Sequence, residues 1–279
     1  MNNKIYPCLW FNNQAKEAAD FYCKVFPNSF ILSTNPMVTN FTLDSFHIMA
    51  LNGGPAFSIN PSISFFVHIK TEKELKEVYL KLMEGGSALM ALDTYPWSRM
   101  YAWVKDKFGM TWQLMITENE TNNMEMNTSF LFANKQYGKA NEAIEFYINL
   151  FENSSINHIE LYTENEAQET GTVKFCNFNL FNQNFSAMDG QGNHEFVFNE
   201  AVSIVVTCET QQEIDTYWEG LTKDGQESMC GWCKDKYGVS WQIVPSVLGE
   251  LMSNPDKSQN VINAFLKMKK FDIETLINV

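Results

Sequence analysis

The sequence predicts an α+β fold made of two tandem copies, each built from two βαβββ units, and three observations carry that prediction. The run Asp106-Lys107-Phe108-Gly109-Met110-Thr111-Trp112-Gln113 returns 129 positions later (235 minus 106) as Asp235-Lys236-Tyr237-Gly238-Val239-Ser240-Trp241-Gln242. The capping box Thr71-Glu72-Lys73-Glu74 is answered by Thr210-Gln211-Gln212-Glu213. The helical run Glu17-Ala18-Ala19-Asp20-Phe21-Tyr22 is answered by Glu142-Ala143-Ile144-Glu145-Phe146-Tyr147.

Residues 4–11 read as a strand, and Asn12-Asn13-Gln14 turns the chain into a helix over 15–26. Its apolar positions, Ala15, Ala18, Ala19, Tyr22, Val25 and Phe26, recur at helical spacing. Pro27-Asn28-Ser29 ends that helix, strands follow over 29–33, 38–44 and 46–52, and Gly53-Gly54-Pro55 breaks the pattern. The second unit opens with a strand over 63–69 whose dry side is Ile63, Phe65, Val67 and Ile69, and whose mixed side is Ser64, Phe66 and His68. Thr71 caps a helix running to Met83, with Gly85-Gly86 beyond its end. Strands over 87–93, 99–105 and 111–116 complete the unit. Before the last of them, Asp106, Lys107 and Gly109 make a tight reversal in which the glycine supplies a positive φ. Alternation then sets Trp112 on one face and Gln113 on the other.

The first copy is expected over 1–119, a polar linker over 120–126 and the second copy over 127–245, followed by a helical extension over 246–279. The copies differ in loop length: Gly86 to Asp106 is 20 positions (106 minus 86), whereas Gly225 to Asp235 is 10 (235 minus 225), so the second copy has a trimmed hairpin. In the extension, Val261, Ile262, Phe265, Leu266 and Met268 form an apolar stripe, with Lys267, Lys269 and Lys270 near the helix end. That stripe suits packing onto the body or, alternatively, a partner.

Lys plus Arg total 20 against 33 Asp plus Glu, a net charge of −13, which repels phosphate backbones and anionic membrane surfaces. Nucleic acid and membranes are therefore not expected partners. The six cysteines are scattered except for Cys230-Gly231-Trp232-Cys233, and no signal-peptide or membrane-spanning run is present, so a reducing, cytoplasmic setting is expected. The Cys-x-x-Cys pair lies before a hairpin turn rather than at the start of a helix, and thiols three apart on a strand point to opposite faces. That placement speaks against a redox or zinc role.

Paired strand–helix–three-strand units resemble the vicinal oxygen chelate superfamily, which includes glyoxalase I, extradiol dioxygenases and bleomycin-resistance proteins. Leu9-Trp10-Phe11, Leu51-Asn52-Gly53-Gly54-Pro55, Cys230-Gly231-Trp232 and Trp241-Gln242-Ile243-Val244-Pro245 resemble its PhnB-like branch, whose domain often carries a demethylubiquinone methyltransferase label. The resemblance covers both halves and implies tandem vicinal-oxygen-chelate domains forming a pseudo-dimer. It also implies metal-ligand positions on the first, fourth, fifth and eighth strands of a domain. These fall near Tyr6, Ile48, Ser62 and Gln113 in the first half, with Thr128, Ala201 and Gln242 among their counterparts. Such residues are poor ligands for a divalent ion, so no metal or other cofactor is expected. His47, His68, His158 and His194 stand singly, and His68 remains a candidate for the rim because it shares a face with Ser64. The Gly-rich strand-to-helix turn that seats S-adenosylmethionine is absent, since Gly53-Gly54-Pro55 precedes no helix directly.

The candidate ligand-binding residues are Trp10, Asn52, Ser64, Phe66 and Gln113 in the first copy, and Phe132, Asp189, Ser203 and Gln242 in the second. Aromatic rings with a few neutral hydrogen-bonding groups suit an apolar or flat organic ligand held at its edge. For each Gln the competing reading is a solvent-facing amide, and Asp189, as the counterpart of Asn52, equally serves to close a turn. Three functions compete: a small-molecule binder without a tight metal, acting as a monomeric pseudo-dimer or homodimer; a metal-dependent lyase, isomerase or dioxygenase; and a structural pseudo-dimer whose tail recruits a partner.

Overall fold

The repeated Asp-Lys-aromatic-Gly run folds twice into the same clasp. In the computed structural model, which describes residues 4–117 and 124–279, Asp106 Oδ1 accepts from the backbone N–H of Phe108 (2.8 Å) and Met110 (3.1 Å), and Oδ2 accepts from Trp112 Nε1 (2.8 Å). Asp235 accepts from Tyr237 N (2.9 Å), Val239 N (3.1 Å) and Trp241 Nε1 (2.8 Å) in the same way. Gly109 and Gly238 both take φ +90°, which closes each turn without a Cβ penalty. The clasp fixes each indole in the core. Trp112 lies 5.1 Å from Tyr22, 4.9 Å from Phe26 and 5.2 Å from Phe65 between ring centroids. Because side chains alternate along a strand, Gln113 and Gln242 are thereby sent to the opposite face.

The chain divides into two compact units whose limits cut across the repeat: Cys8–Val197, and Phe198–Val279 together with the first residues through Pro7. In the larger unit, β1 (Ile5–Phe11, from Cys8 onward), α1 (Ala15–Val25), β2 (Phe30–Thr34), β3 (Val38–Leu43) and β4 (Phe46–Asn52) follow the predicted order. The strands lie β1-β4-β3-β2, with β1 parallel to β4. A second sheet holds eight strands. It takes β5 (Ile63–Ile69), β6 (Ser87–Tyr95), β7 (Ser98–Lys105) and β8 (Thr111–Ile116) from the first copy. From the second copy it takes β9 (Glu125–Ala133), β10 (Ser155–Leu161), β11 (Val173–Leu180) and β12 (Gln183–Gly190). The order is β10-β11-β12-β9-β5-β8-β7-β6.

This sheet pairs the second unit of one copy with the first unit of the next, whereas the sequence reading paired the two units within each copy. The seam is antiparallel, with Ser64 opposite Ser129 and Phe66 opposite Asn127. β8 and β9 flank β5, so they lie two strand spacings apart, roughly 10 Å. Periodicity records which face of a strand is dry but not which neighbour it pairs with. Of the expected linker, residues 120–123 lie outside the described residues, and Glu125 and Met126 already belong to β9.

Helices α2 (Glu72–Leu82) and α3 (Ala140–Leu150) pack on the dry side of this sheet, through Leu75, Val78 and Leu82 and through Ala143, Ile144 and Tyr147. Thr71 caps α2, its hydroxyl oxygen accepting from Glu74 N at 3.2 Å. Ser64, Phe66 and Gln113 therefore occupy the face turned away from the helices, referred to below as the inner face.

In the smaller unit, β13 (Val202–Cys208), β14 (Gln226–Glu227), β15 (Trp232–Lys234) and β16 (Ser240–Pro245) lie in the order β14-β15-β16-β13 against α4 (Gln211–Thr222). The start of β1 belongs here, Thr207 N donating to Lys4 O at 2.8 Å. The trimmed hairpin is plain: β14 and β15 hold 2 and 3 residues where β6 and β7 hold 9 and 8. The extension, with α5 (Leu248–Ser253), α6 (Ser258–Phe265) and α7 (Ile273–Ile277), fills the gap. Cys230 N donates to Met268 O and Gly231 N to Lys269 O, each at 2.7 Å. A Cβ at Gly231 would come within 2.5 Å of the Phe271 ring, so only glycine lets the tail close in. Val261, Phe271 and Leu276 are buried. Leu266 of the predicted stripe is 55% exposed, because α6 ends at Phe265. Among the described residues no helix is long and apolar enough to cross a membrane.

Candidate ligand-binding site

Four strands of the larger unit, β7, β8, β5 and β9, bring a hydrogen-bonded group together on the inner face. Parallel pairing sets Gln113 beside Phe66, and antiparallel pairing sets it beside Trp103. Gln113 Nε2 donates to Ser64 Oγ at 2.7 Å and to Ser129 Oγ at 3.4 Å, while Tyr101 Oη donates to Gln113 Oε1 at 2.8 Å. One strand further on, Ser186 Oγ of β12 donates to Asn127 Oδ1 at 2.8 Å. Each of these residues is buried, Gln113 at 6% exposure. A buried amide costs stability unless its donors and acceptor are matched, and here they are.

Aromatic rings surround the amide. Phe66 stacks on His68 (4.9 Å between centroids) and packs near Phe175 (5.8 Å) and Tyr101 (6.3 Å). Trp103 Nε1 is buried and has no hydrogen-bond partner. Burial lowers the His68 pKa, with Glu125 opposing, which favours the neutral imidazole. Burial, and then the neighbouring Tyr95, pushes the Tyr101 phenol well above its ordinary value and keeps it a donor.

These residues do not fit a divalent ion. The Gln113 carbonyl oxygen is already engaged by a phenol O–H, and among the described residues no group of three His, Cys, Asp or Glu side chains converges.

The nine residues singled out from the sequence separate into three sets. Ser64, Phe66 and Gln113 lie together on the inner face, and Gln242 Nε2 donates to Ser203 Oγ (2.9 Å) as the equivalent pair of the smaller unit. Trp10, Asn52 and Asp189 hold backbone instead. Trp10 Nε1 donates to Gly54 O at 2.8 Å, and its ring lies where a Cβ at Gly53 would be. Asn52 Oδ1 accepts from Ala15 N (2.9 Å) and its Nδ2 donates to Pro36 O (2.9 Å), which ties β4 to the start of α1. Asp189 does the same for α3, accepting from Gly138 N (2.8 Å), Ala140 N (3.3 Å) and Val173 N (2.8 Å). Phe132 is not on the inner face at all. It is fully buried beside Phe130, whose ring faces Tyr147 of α3. Asn13 (φ 60°) and Asn134 (φ 56°) are matching turn residues, so the counterpart of Trp10 is Leu131, and a one-residue slip had turned Phe132 inward. His158 lies on β10.

Tyr101, Trp103, Asn127, Ser129 and Ser186 were not foreseen. A signal for Trp103 existed, since aligning the clasps sets it against Trp232, whereas Tyr101 falls against Cys230. That alignment also separates the two sites. Cys230 takes φ 59° and its Sγ lies 3.7 Å from Phe265 O, so Gln242 has no phenol of the Tyr101 kind in its own copy.

A family model described as 3-demethylubiquinone-9 3-methyltransferase matches residues 3–115 and again 125–244. A PhnB protein from Bacillus cereus, given the same methyltransferase description, is 32% identical over 41% of this chain and 100% of its own, with a TM-score of 0.39. Glyoxalase I from Zea mays has the same fold over 85% of this chain and 89% of its own, at 10% identity and a TM-score of 0.53. A variant of that enzyme reaches 0.56 at 11% identity, over 87% of this chain and 94% of its own. Comparison with curated proteins finds no match. With two family matches spanning most of its length, the chain belongs to the PhnB-like, 3-demethylubiquinone-9 3-methyltransferase family, and it has a glyoxalase I-like fold.

Proposed function

We propose that the inner face of the eight-stranded sheet, centred on Gln113, binds a small uncharged organic molecule without the help of a tightly held metal. The observation that supports this most is the buried network of Gln113 with Tyr101, Ser64 and Ser129, next to the unpartnered Trp103 N–H. Hydrophobic packing alone would have put apolar side chains there. A fixed set of neutral donors and acceptors among aromatic rings is what a site for a neutral ligand requires. The methyl transfer named in the family's description has no seat in these residues, because Gly53 and Gly54 lead from β4 through a loop into another strand. A cytoplasmic setting belongs to the same proposal, the six cysteines all being free thiols.

The test is a fragment screen by NMR on full-length protein, following the Gln113 side-chain amide and the Trp103 indole N–H. Neutral fragments should shift both signals, and Gln113→Met should weaken the same fragments at least tenfold. Hits that leave both signals in place, or that bind Gln113→Met unchanged, overturn the proposal.

A further inference from the structure

The β6–β7 hairpin carries a run of rings that the hydrogen-bond network does not account for. Tyr95 and Trp97 stack face to face (5.1 Å between centroids, 21° between planes), and both pack edge-on against Tyr101 at 5.6 and 5.7 Å. Tyr101 is the phenol that donates to Gln113, and Phe66 continues the run beneath it. Trp97 is 55% exposed at the hairpin turn, whereas Tyr101 and Phe66 are buried. Fold stability does not call for an exposed indole stacked on a tyrosine. Ring contacts thus link the exposed indole through Tyr101 to the Gln113 amide.

Resting on the binding role proposed above, we infer that Trp97 and Tyr95 select ligands with a planar conjugated ring. The ring stacks at the hairpin while a carbonyl-type acceptor on the same molecule takes the unpartnered Trp103 N–H. An indole face stabilises a flat π-system through offset stacking and gives a puckered saturated ring much less. The Trp103 N–H needs an acceptor, because a buried unpaired donor is costly. The second copy keeps an indole at the Trp103 position, Trp232, but lacks the stacked rings. Its β14 and β15 are too short to carry such rings, and Cys230 replaces Tyr101.

The experiment compares two lactams that differ only in ring saturation, quinolin-2-one and octahydroquinolin-2-one, on full-length protein. Each is titrated while the Trp103 indole and Gln113 amide signals are followed. The planar lactam should bind roughly tenfold more tightly, the scale of one good aromatic contact. Trp97→Ala should erase that difference by weakening only the planar compound, and Trp97→Phe should retain part of it. Equal affinities that both shift Gln113 would overturn this inference and leave the binding role standing. A planar lactam that quenches Trp97 without moving Gln113 would overturn the binding role and this inference with it. Failure of quinolin-2-one to bind up to its solubility limit also overturns the inference. If Trp97→Ala melts early, the comparison of the two lactams on the unsubstituted protein still decides.

Discussion

Replacing Gln113 by Met keeps the length of the side chain and removes its amide, which leaves the Tyr101 hydroxyl buried without its acceptor. A stranded buried hydroxyl costs roughly 1–3 kcal/mol, and the serines at positions 64 and 129 lose a donor besides. We expect a loss of about 2 kcal/mol, and for a unit of this size a fall in Tm of about 4–8 °C. At the 6% exposure of Gln113 there is little room for water to replace these partners. The decisive construction is a double-mutant cycle. Tyr101→Phe removes the stranded hydroxyl, so Tyr101→Phe with Gln113→Met should be less destabilised than the sum of the singles, by roughly 0.5–3 kcal/mol. Urea unfolding followed by tryptophan fluorescence and circular dichroism reads all four proteins. Strict additivity would refute the coupling on which the site rests.

Trp112→Phe keeps most of the buried area but takes the indole donor from Asp106, so it should cost roughly 1.5–3 kcal/mol in the same urea assay; Trp241→Phe should match it through Asp235. Burial raises the Asp106 pKa to about 6, although donors from Trp112, Phe108 and Met110 oppose the shift. Its folded pKa then lies above the unfolded one of about 4. The folded state holds the extra proton between those values, and the contribution of this group to stability falls as pH rises from about 4 to about 6. Asp106→Asn should remove that slope from the pH series of urea midpoints, and an unchanged slope would contradict it. Cys233 is buried in β15 and burial pushes its thiol pKa up, so a timed iodoacetamide reaction should label Cys230 before Cys233.

Most elements of the larger unit are readable in the sequence because their signals are local. The strand over 63–69 and the Thr71 cap fall where alternation and the capping box put them. So does the split between Trp112 and Gln113, since the clasp that enforces it lies within seven residues. Pairing across the copies was not readable, because Ser64 and Ser129 meet through strand register rather than spacing. The same limit hid Ser129 and Asn127 from the site, and the misplacement of Phe132 shows how one residue of slip inverts a face. Asn52 and Asp189 are polar at strand ends for a reason that resembles binding from sequence alone. Each holds the first backbone N–H of a helix, a role that shows only once the helix start is in space.

The claim at the centre is that the Gln113 face is a ligand site rather than a polar patch of the core. The most direct measurement is the crystal structure of the full-length chain soaked with the tightest neutral fragment from the NMR screen. That fragment should lie against Phe66 and Tyr101, with a polar atom within hydrogen-bonding distance of Trp103 Nε1 or Gln113. A fragment seated elsewhere, with the Gln113, Ser64 and Tyr101 network untouched, would contradict it.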